Sequence, residues 1–218
     1  MTQKQTCIRF EHPCGLFSSS EWRQALLSGH AALLEDVAVF QSATALSFTA
    51  MGPQASERMR ENALTLMRAV SAQAGRTLSV EMPEFTPSVA FTGYRWQYAI
   101  PCLVVARSGD EWGAWREPQL GTQQQDKMRD RINEDLAKQL AIWGLNAQDL
   151  AIQIDHPGVP MPLKNAVAQG PKPTSAMARK NVLFSSAARI EGGFWAGRLQ
   201  ATGHGRIYRA GYQEQNQK

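Results

Sequence analysis

The side chains best suited to chemistry at a phosphate lie in the segment RLQATGHGRIYRAG, residues 198–211. Gly203, His204 and Gly205 follow one another there, among Arg198, Arg206, Tyr208 and Arg209. Glycine lets a backbone approach a ligand closely. Arginine offers a planar fork of donors that matches phosphate oxygens. Histidine titrates near neutrality and can move a proton. The ligand this combination suits is a nucleotide or a nucleic acid. The Walker and dinucleotide-binding fingerprints are both absent, so a nucleotide site has only the short Gly-x-Gly in its favour.

Three further histidines are available. His30 follows Arg23 by seven residues, two turns of a helix, so both can face one side. That stripe is either a base beside a phosphate clamp or a histidine at the edge of a core. His156 follows Asp155 at the end of a predicted strand, where a turn role fits. His12 lies between Cys7 and Cys14. Zinc sites draw four ligands from close pairs, which this group does not supply. No metal and no cofactor are expected.

Charge favours the nucleic acid over the nucleotide. Between Met161 and Ala210 stand eight basic residues, Lys164, Lys172, Arg179, Lys180, Arg189, Arg198, Arg206 and Arg209, against one acid, Glu191. That stretch carries +7, whereas the whole chain carries +4. Such asymmetry is the electrostatic footprint of a polyanionic partner. A second basic group, Lys127, Arg131 and Lys138, shares one face of a predicted helix, and Arg116 and Arg129 extend it. It reads either as a track along a duplex or as a solvated face. Trp112, Trp115, Trp195 and Tyr208 could stack on bases or fill a core. The three cysteines show no paired spacing, which suits a reducing cytoplasm. No apolar run is long enough for a signal peptide or a membrane span, so no membrane partner is expected.

The elements that must carry these residues follow from periodicity. QTCIRFEH (5–12) alternates as a strand, and the Ser18/Glu21 pair looks like a capping box for a helix to about Glu35. VAVF (37–40) and ALSFTAM (45–51) predict a hairpin. Pro53 opens a helix that Gly75 closes, and residues 76–82 predict a strand. Residues 83–93 read as a linker. A strand over 94–106, with Pro101 at a bulge or an edge, leads to a helix at about 122–143. A strand over 150–156 precedes a proline-rich loop over 157–176. A strand at 181–190, a short helix at 192–201 and a strand at 205–211 complete a second β-α-β-β-α-β series. The expected fold is α+β, with two tandem ferredoxin-like, RRM-like domains, 1–84 and 94–212.

Two such units with a basic glycine loop resemble the RAMP superfamily of CRISPR-associated proteins. NVLFSSAARIEGGFWAGRLQATGHGRIYRAG (181–211) carries the likeness to the repeat-RNA endoribonucleases, the Cas-six family. LLSGHAALL (26–34) adds a histidine in the first helix, where several of those enzymes place a catalytic one. The members from type IV CRISPR systems look most similar. The resemblance implies an enzyme that binds the repeat hairpin of precursor CRISPR RNA and cuts it without metal. The 2′-hydroxyl would attack phosphorus, leaving a 2′,3′-cyclic phosphate and a 5′-hydroxyl. It implies that His30, Arg23 and Arg209 carry the chemistry. Gly203, His204, Gly205, Arg206, Tyr208, Arg198, Arg179, Lys180, Lys164, Lys172, Lys127, Arg131, Lys138 and Arg116 would hold the RNA. It also implies that the protein stays on its product beside other effector-complex subunits. A RAMP subunit that only holds guide RNA, and an unrelated RNA-binding module, are the alternatives.

The local charge of +7 generates a first prediction. Affinity for an RNA hairpin should fall steeply with salt, and replacing Arg206 and Arg209 by Ala should weaken binding and flatten that dependence. A salt titration of the folded double variant that matches the native protein would remove the loop from the interface.

Overall fold

The computed structural model describes residues 3–11, 19–42, 44–107, 112–147, 149–167 and 174–214. The chain divides into two units, residues 1–87 with 201–203, and residues 88–200 with 204–218.

In the first unit, β1 (Gln5–Glu11) leads through α1 (Ser19–His30) and a 3₁₀ turn (Ala31–Leu34) to the hairpin β2 (Val37–Gln41) and β3 (Ala45–Ala50). Next come α2 (Pro53–Glu61), α3 (Ala63–Ala74), β4 (Val80–Glu81) and β5 (Glu84–Phe85). The antiparallel sheet runs β2-β3-β1-β4, with β5 also on β1. Ile8, Phe10, Trp22, Leu26, Phe48, Met59, Leu66 and Val70 form its core.

One helix was expected over 53–75, but the structure breaks it at Asn62. The Asn62 side-chain amide donates to the Arg58 carbonyl at 2.9 Å, as asparagine does where it competes with helical backbone bonds. Of the strand expected over 76–82 only Val80–Glu81 forms, and a second short piece, Glu84–Phe85, follows Pro83 in the stretch expected to be a linker. Pro83 has no N–H for the ladder, although its carbonyl accepts from the Cys7 N–H at 3.0 Å. Ser18 lies outside the described residues.

The second unit contains β6 (Ser88–Ala106), α4 (Trp112–Arg116), α5 (Thr122–Ile142), β7 (Gln153–His156), β8 (Val159–Val167), β9 (Thr174–Glu191) and β10 (Tyr208–Glu214). Its sheet runs β10-β6-β9-β7, with β8 also paired to β9. With β7 and β8 taken as one interrupted strand, both sheets have the fourth-first-third-second order of a ferredoxin-like unit. Met128, Ile132, Leu136 and Leu140 of α5 pack on Tyr98, Ile100, Val182 and Phe184 of the sheet.

Residues 88–93 are not a linker: Ser88 to Phe91 pair with Glu191 to Ala188. Within the expected loop, residues 159–167 form β8 against β9, while 168–173 lie outside the described residues. The helix expected at 192–201 is absent. Positive φ angles at Gly192, Gly197 and Leu199 exclude it. Instead the Gln139 amide of α5 brackets Trp195, donating to its carbonyl and accepting from its N–H. The Asp135 carboxylate accepts from the Gly197 N–H at 2.8 Å. Side chains of α5 thus satisfy backbone groups that a helix would have satisfied internally.

This extended segment has a place because β10 is short. Its pairing with β6 ends at Ala99, two residues before Pro101. Beyond that point the Gly205 N–H donates to Cys102 O at 2.8 Å, and the Arg198 N–H to Val104 O at 2.9 Å. The returning chain covers the edge that β10 leaves open.

Arg179 of β9 is the most constrained polar side chain in the unit. It is fully buried (0% exposed). Nε donates to Pro157 O at 3.0 Å. Nη1 donates to Trp115 O (3.1 Å) and Glu117 O (2.7 Å). Nη2 donates to Pro118 O (3.0 Å) and Gly158 O (2.6 Å). All five guanidinium donors are engaged by carbonyls. Arg179→Met should therefore lower unfolding stability by more than about 4 kcal/mol, and Arg179→Lys, with its three donors, should recover less than half of the loss. Denaturant unfolding of the full chain measures both.

Candidate nucleic-acid interface

The glycines of the 198–211 loop approach backbone, and the backbone is the protein's own. Gly203 (φ +80°) is buried, and a Cβ there would lie 2.6 Å from Val39 O and 2.9 Å from Phe40 Cα. Gly205 (φ +79°) is also buried, and its Cβ would lie 1.7 Å from Ala196 O. The Gly205 N–H and C=O are both engaged, with Cys102 and Ala196. Packing alone demands glycine at Gly203 and Gly205, apart from any contact with RNA.

Between them His204 is half-buried, and burial pulls its pKa below the ordinary 6.5. The Arg206 guanidinium lies 5.1 Å from the ring centre of Tyr208. Burial raises the Tyr208 pKa, and the Arg206 charge partly offsets that rise.

Arg209 sits in a cluster that the sequence reading did not assemble. Its Nη1 lies 2.9 Å from Glu191 Oε1, and Arg189 Nη2 binds the same oxygen. Both guanidinium groups lie over the Trp96 ring, Arg189 at 5.3 Å and Arg209 at 5.8 Å from its centre. Beneath them the Tyr98 hydroxyl donates to Ala188 O at 3.0 Å and accepts from the Ile190 N–H at 2.7 Å. Burial pushes the Tyr98 pKa up to about 12. Arg189 and Glu191 are two apart on β9, and so share a face. That spacing was the available signal.

Arg179 is removed from the interface, because none of its donors is left for a phosphate. Burial also lowers its pKa. Lys180, its neighbour, is exposed on the opposite face of β9. Lys164 falls in β8 but its side chain lies outside the described residues, as does all of Lys172.

On α5, Lys127 is exposed, Arg131 Nε binds Asp135 at 2.8 Å, and Lys138 lies 3.8 Å from Glu134. Arg129 is paired with Asp126 and Asp130. Lys127, Arg131 and Arg198 line a cavity of about 310 Å³, with Arg116 exposed in the last turn of α4.

Arg23 and His30 both belong to α1, but the structure does not turn them to a common task. Arg23 donates to Val37 O at 2.7 Å and Leu34 O at 2.8 Å, and burial lowers its pKa. It ties α1 to the turn before β2 and to β2 itself, a structural role beside which the expected phosphate clamp would have to draw on its other donors. His30 ends α1 half-buried, and its imidazole has no partner among the described residues. His156 Nδ1 accepts from the Gly158 N–H at 3.0 Å, in keeping with a turn role.

His12 and Cys14 lie outside the described residues. Cys7 and Cys102 are not joined in a disulfide, and burial raises the Cys102 pKa to about 11. Among the described residues, no three His, Cys, Asp or Glu side chains are grouped to hold a metal. No helix among them is long and apolar enough to cross a membrane.

The sequence matches the family described as Type IV CRISPR-associated endonuclease Csf5 over residues 29–211. No protein of curated function matches it. Among solved structures, one described as Csf5, a CRISPR-Cas type IV Cas6 crRNA endonuclease, superimposes with a TM-score of 0.69 at 18% identity, covering 94% of this chain and 99% of that one. A crystal structure of Cas6b gives 0.69 at 8% identity, covering 95% and 100%. A Cas6b described as a CRISPR RNA processing endoribonuclease gives 0.61 at 9% identity, again covering 95% and 100%. At these identities the likeness is one of fold.

His204 generates a pH prediction. Its folded pKa lies below 6.5, so the unfolded chain takes up a proton that the folded chain resists. The stability from its neutral burial is present above about pH 6.5 and is lost as pH falls through the folded pKa. Denaturant midpoints between about pH 7.5 and pH 5 should fall less for His204→Asn than for the native protein. Parallel curves would contradict the burial.

Proposed function

The chain belongs to the type IV CRISPR-associated endonuclease family Csf5, and on that premise we propose that it binds the repeat hairpin of precursor CRISPR RNA and cuts it without a metal ion. The observation that carries the reading is the extent of the family match. It begins at Gly29, one residue before His30, and ends at Gly211, so it spans both the first-helix histidine and the basic loop. Arg23 falls outside it.

The reaction has four requirements: a proton must leave the 2′-hydroxyl, the oxygen must line up behind phosphorus, charge must be stabilised, and the leaving 5′-oxygen must be protonated. His30 is the proton acceptor in this reading, because its half-buried imidazole has no partner among the described residues. The proton it takes is then available to the 5′-oxygen as the P–O5′ bond breaks. Arg209 stabilises charge on phosphorus, exchanging the Glu191 carboxylate for a phosphate oxygen. Arg198, Arg206, Lys180 and the α5 cations contact the RNA backbone. The product hairpin stays bound and enters an effector complex with other CRISPR subunits, in the cytoplasm.

Single-turnover cleavage of a labelled repeat tests this. Cleavage should persist in excess EDTA and leave a 2′,3′-cyclic phosphate and a 5′-hydroxyl. His30→Ala should slow it by roughly 10²–10⁴-fold while hairpin binding survives. Abolition by EDTA with rescue by magnesium would refute the metal-free mechanism. A silent His30→Ala with a large loss in Arg209→Ala would move the chemistry from histidine to arginine. Binding without cleavage in the native protein would leave the RNA-holding subunit.

A further inference from the structure

The cavity of about 310 Å³ in the second unit lies between α4, the start of α5, β6 and the Gly197–Arg198 turn. One wall is apolar: Leu103, Val104 and Val105 of β6, Ala114 of α4 and Met128 of α5. Trp115 adds a half-buried aromatic face, and Gln124 an amide that can both donate and accept. The remaining lining is Lys127, Arg131, Arg198 and Gly197, so among the described residues every ionisable group that lines it is a cation. Asp135, beside this lining, is buried and binds both Arg131 Nε and the Gly197 N–H at 2.8 Å. It fixes the Arg131 guanidinium through Nε, which leaves the two Nη groups to face a ligand.

An aromatic and apolar slot beside an amide and three cations suits a planar heterocycle that carries phosphate. The volume is at the low end of the range for small-molecule sites, about 300–1,000 Å³. It admits one nucleotide and excludes a duplex. We propose that this cavity receives a single unpaired purine nucleotide from the RNA strand flanking the hairpin. The base stacks on Trp115, Gln124 meets its edge, and Lys127, Arg131 and Arg198 hold the adjoining phosphates. Charge complementarity selects a strand over a free base, because the cations come from two separate segments, α5 and the 198 turn, and so can grip more than one phosphate. The inference rests on the hairpin-binding reading above and adds to it a site for the strand beside the hairpin.

The test uses the full chain and two uncleavable RNAs with a 2′-deoxy nucleotide at the scissile position. One is the repeat hairpin alone, the other the hairpin with its single-stranded flanks. 2-Aminopurine replaces each flanking purine in turn. At one flanking position fluorescence should be quenched on binding. Trp115→Ala should abolish that quenching and weaken the flanked RNA roughly tenfold, leaving the bare hairpin unchanged. Trp115→Phe should restore most of the affinity. Ala114→Trp, which fills the cavity from an exposed position of α4, should match Trp115→Ala if the latter folds poorly. If the bare hairpin binds and the variants bind the flanked RNA as tightly as the native protein, the cavity assignment is overturned and the hairpin reading stands. If neither RNA binds, both are overturned. Saturable binding of AMP or GMP that flanked RNA fails to compete would make the occupant a free nucleotide and overturn the strand assignment.

Discussion

Much of the second unit hangs on the buried Arg179 guanidinium. A cation out of water is costly unless every donor meets an acceptor in good geometry. Here five carbonyls from two places converge on one planar group: Trp115, Glu117 and Pro118 at the end of α4 and just after it, and Pro157 and Gly158 in the β7–β8 turn. Carbonyls in such loops lack ladder partners, so the same contact satisfies both sides. It also sets positions. Trp115 enters the apolar cavity because its own carbonyl is held from below. The interrupted edge strand changes course at Gly158 for the same reason.

The sheet orders were legible in the sequence because alternation and helix punctuation are local signals. QTCIRFE, VAVFQ and ALSFTA became strands close to where they were expected. Pro53 and Gly75 bounded helical structure, although the break at Asn62 depended on one side-chain bond. What could not be read was structure imposed from a distance. FWAG has the look of a helix, yet Gln139 and Asp135, some sixty residues earlier, hold it extended. The stretch 83–93 has the composition of a linker, but β9 supplies a partner that composition does not reveal.

The candidate site was legible as charge and obscure as geometry. Counting arginines could not separate Arg179, wholly buried, from Lys180 beside it, exposed. Nor could spacing show that Arg23 would turn to the carbonyls of Leu34 and Val37. Strand alternation decides the first case and a turn geometry the second. The Arg189–Trp96–Arg209 stack shows the converse. Trp96 meets arginines more than ninety residues away through the β6–β9 and β6–β10 ladders, and one carboxylate, Glu191, organises both guanidinium groups.

The close fit of Gly203 against Val39 and Phe40 has a consequence in time. Residues 201–203 belong to the first unit, and Gly203 meets the backbone of β2, an edge strand of that unit's sheet. A ribosome that has just made Phe40 must add about 160 more residues before Gly203 emerges, roughly 10–30 s at about 5–20 residues per second. The first unit can assemble its helices and strands as a nascent domain, but this stretch of β2 waits for the chain to return. Until then the β2 backbone at Val39 and Phe40 lacks the neighbour that the finished chain packs against it.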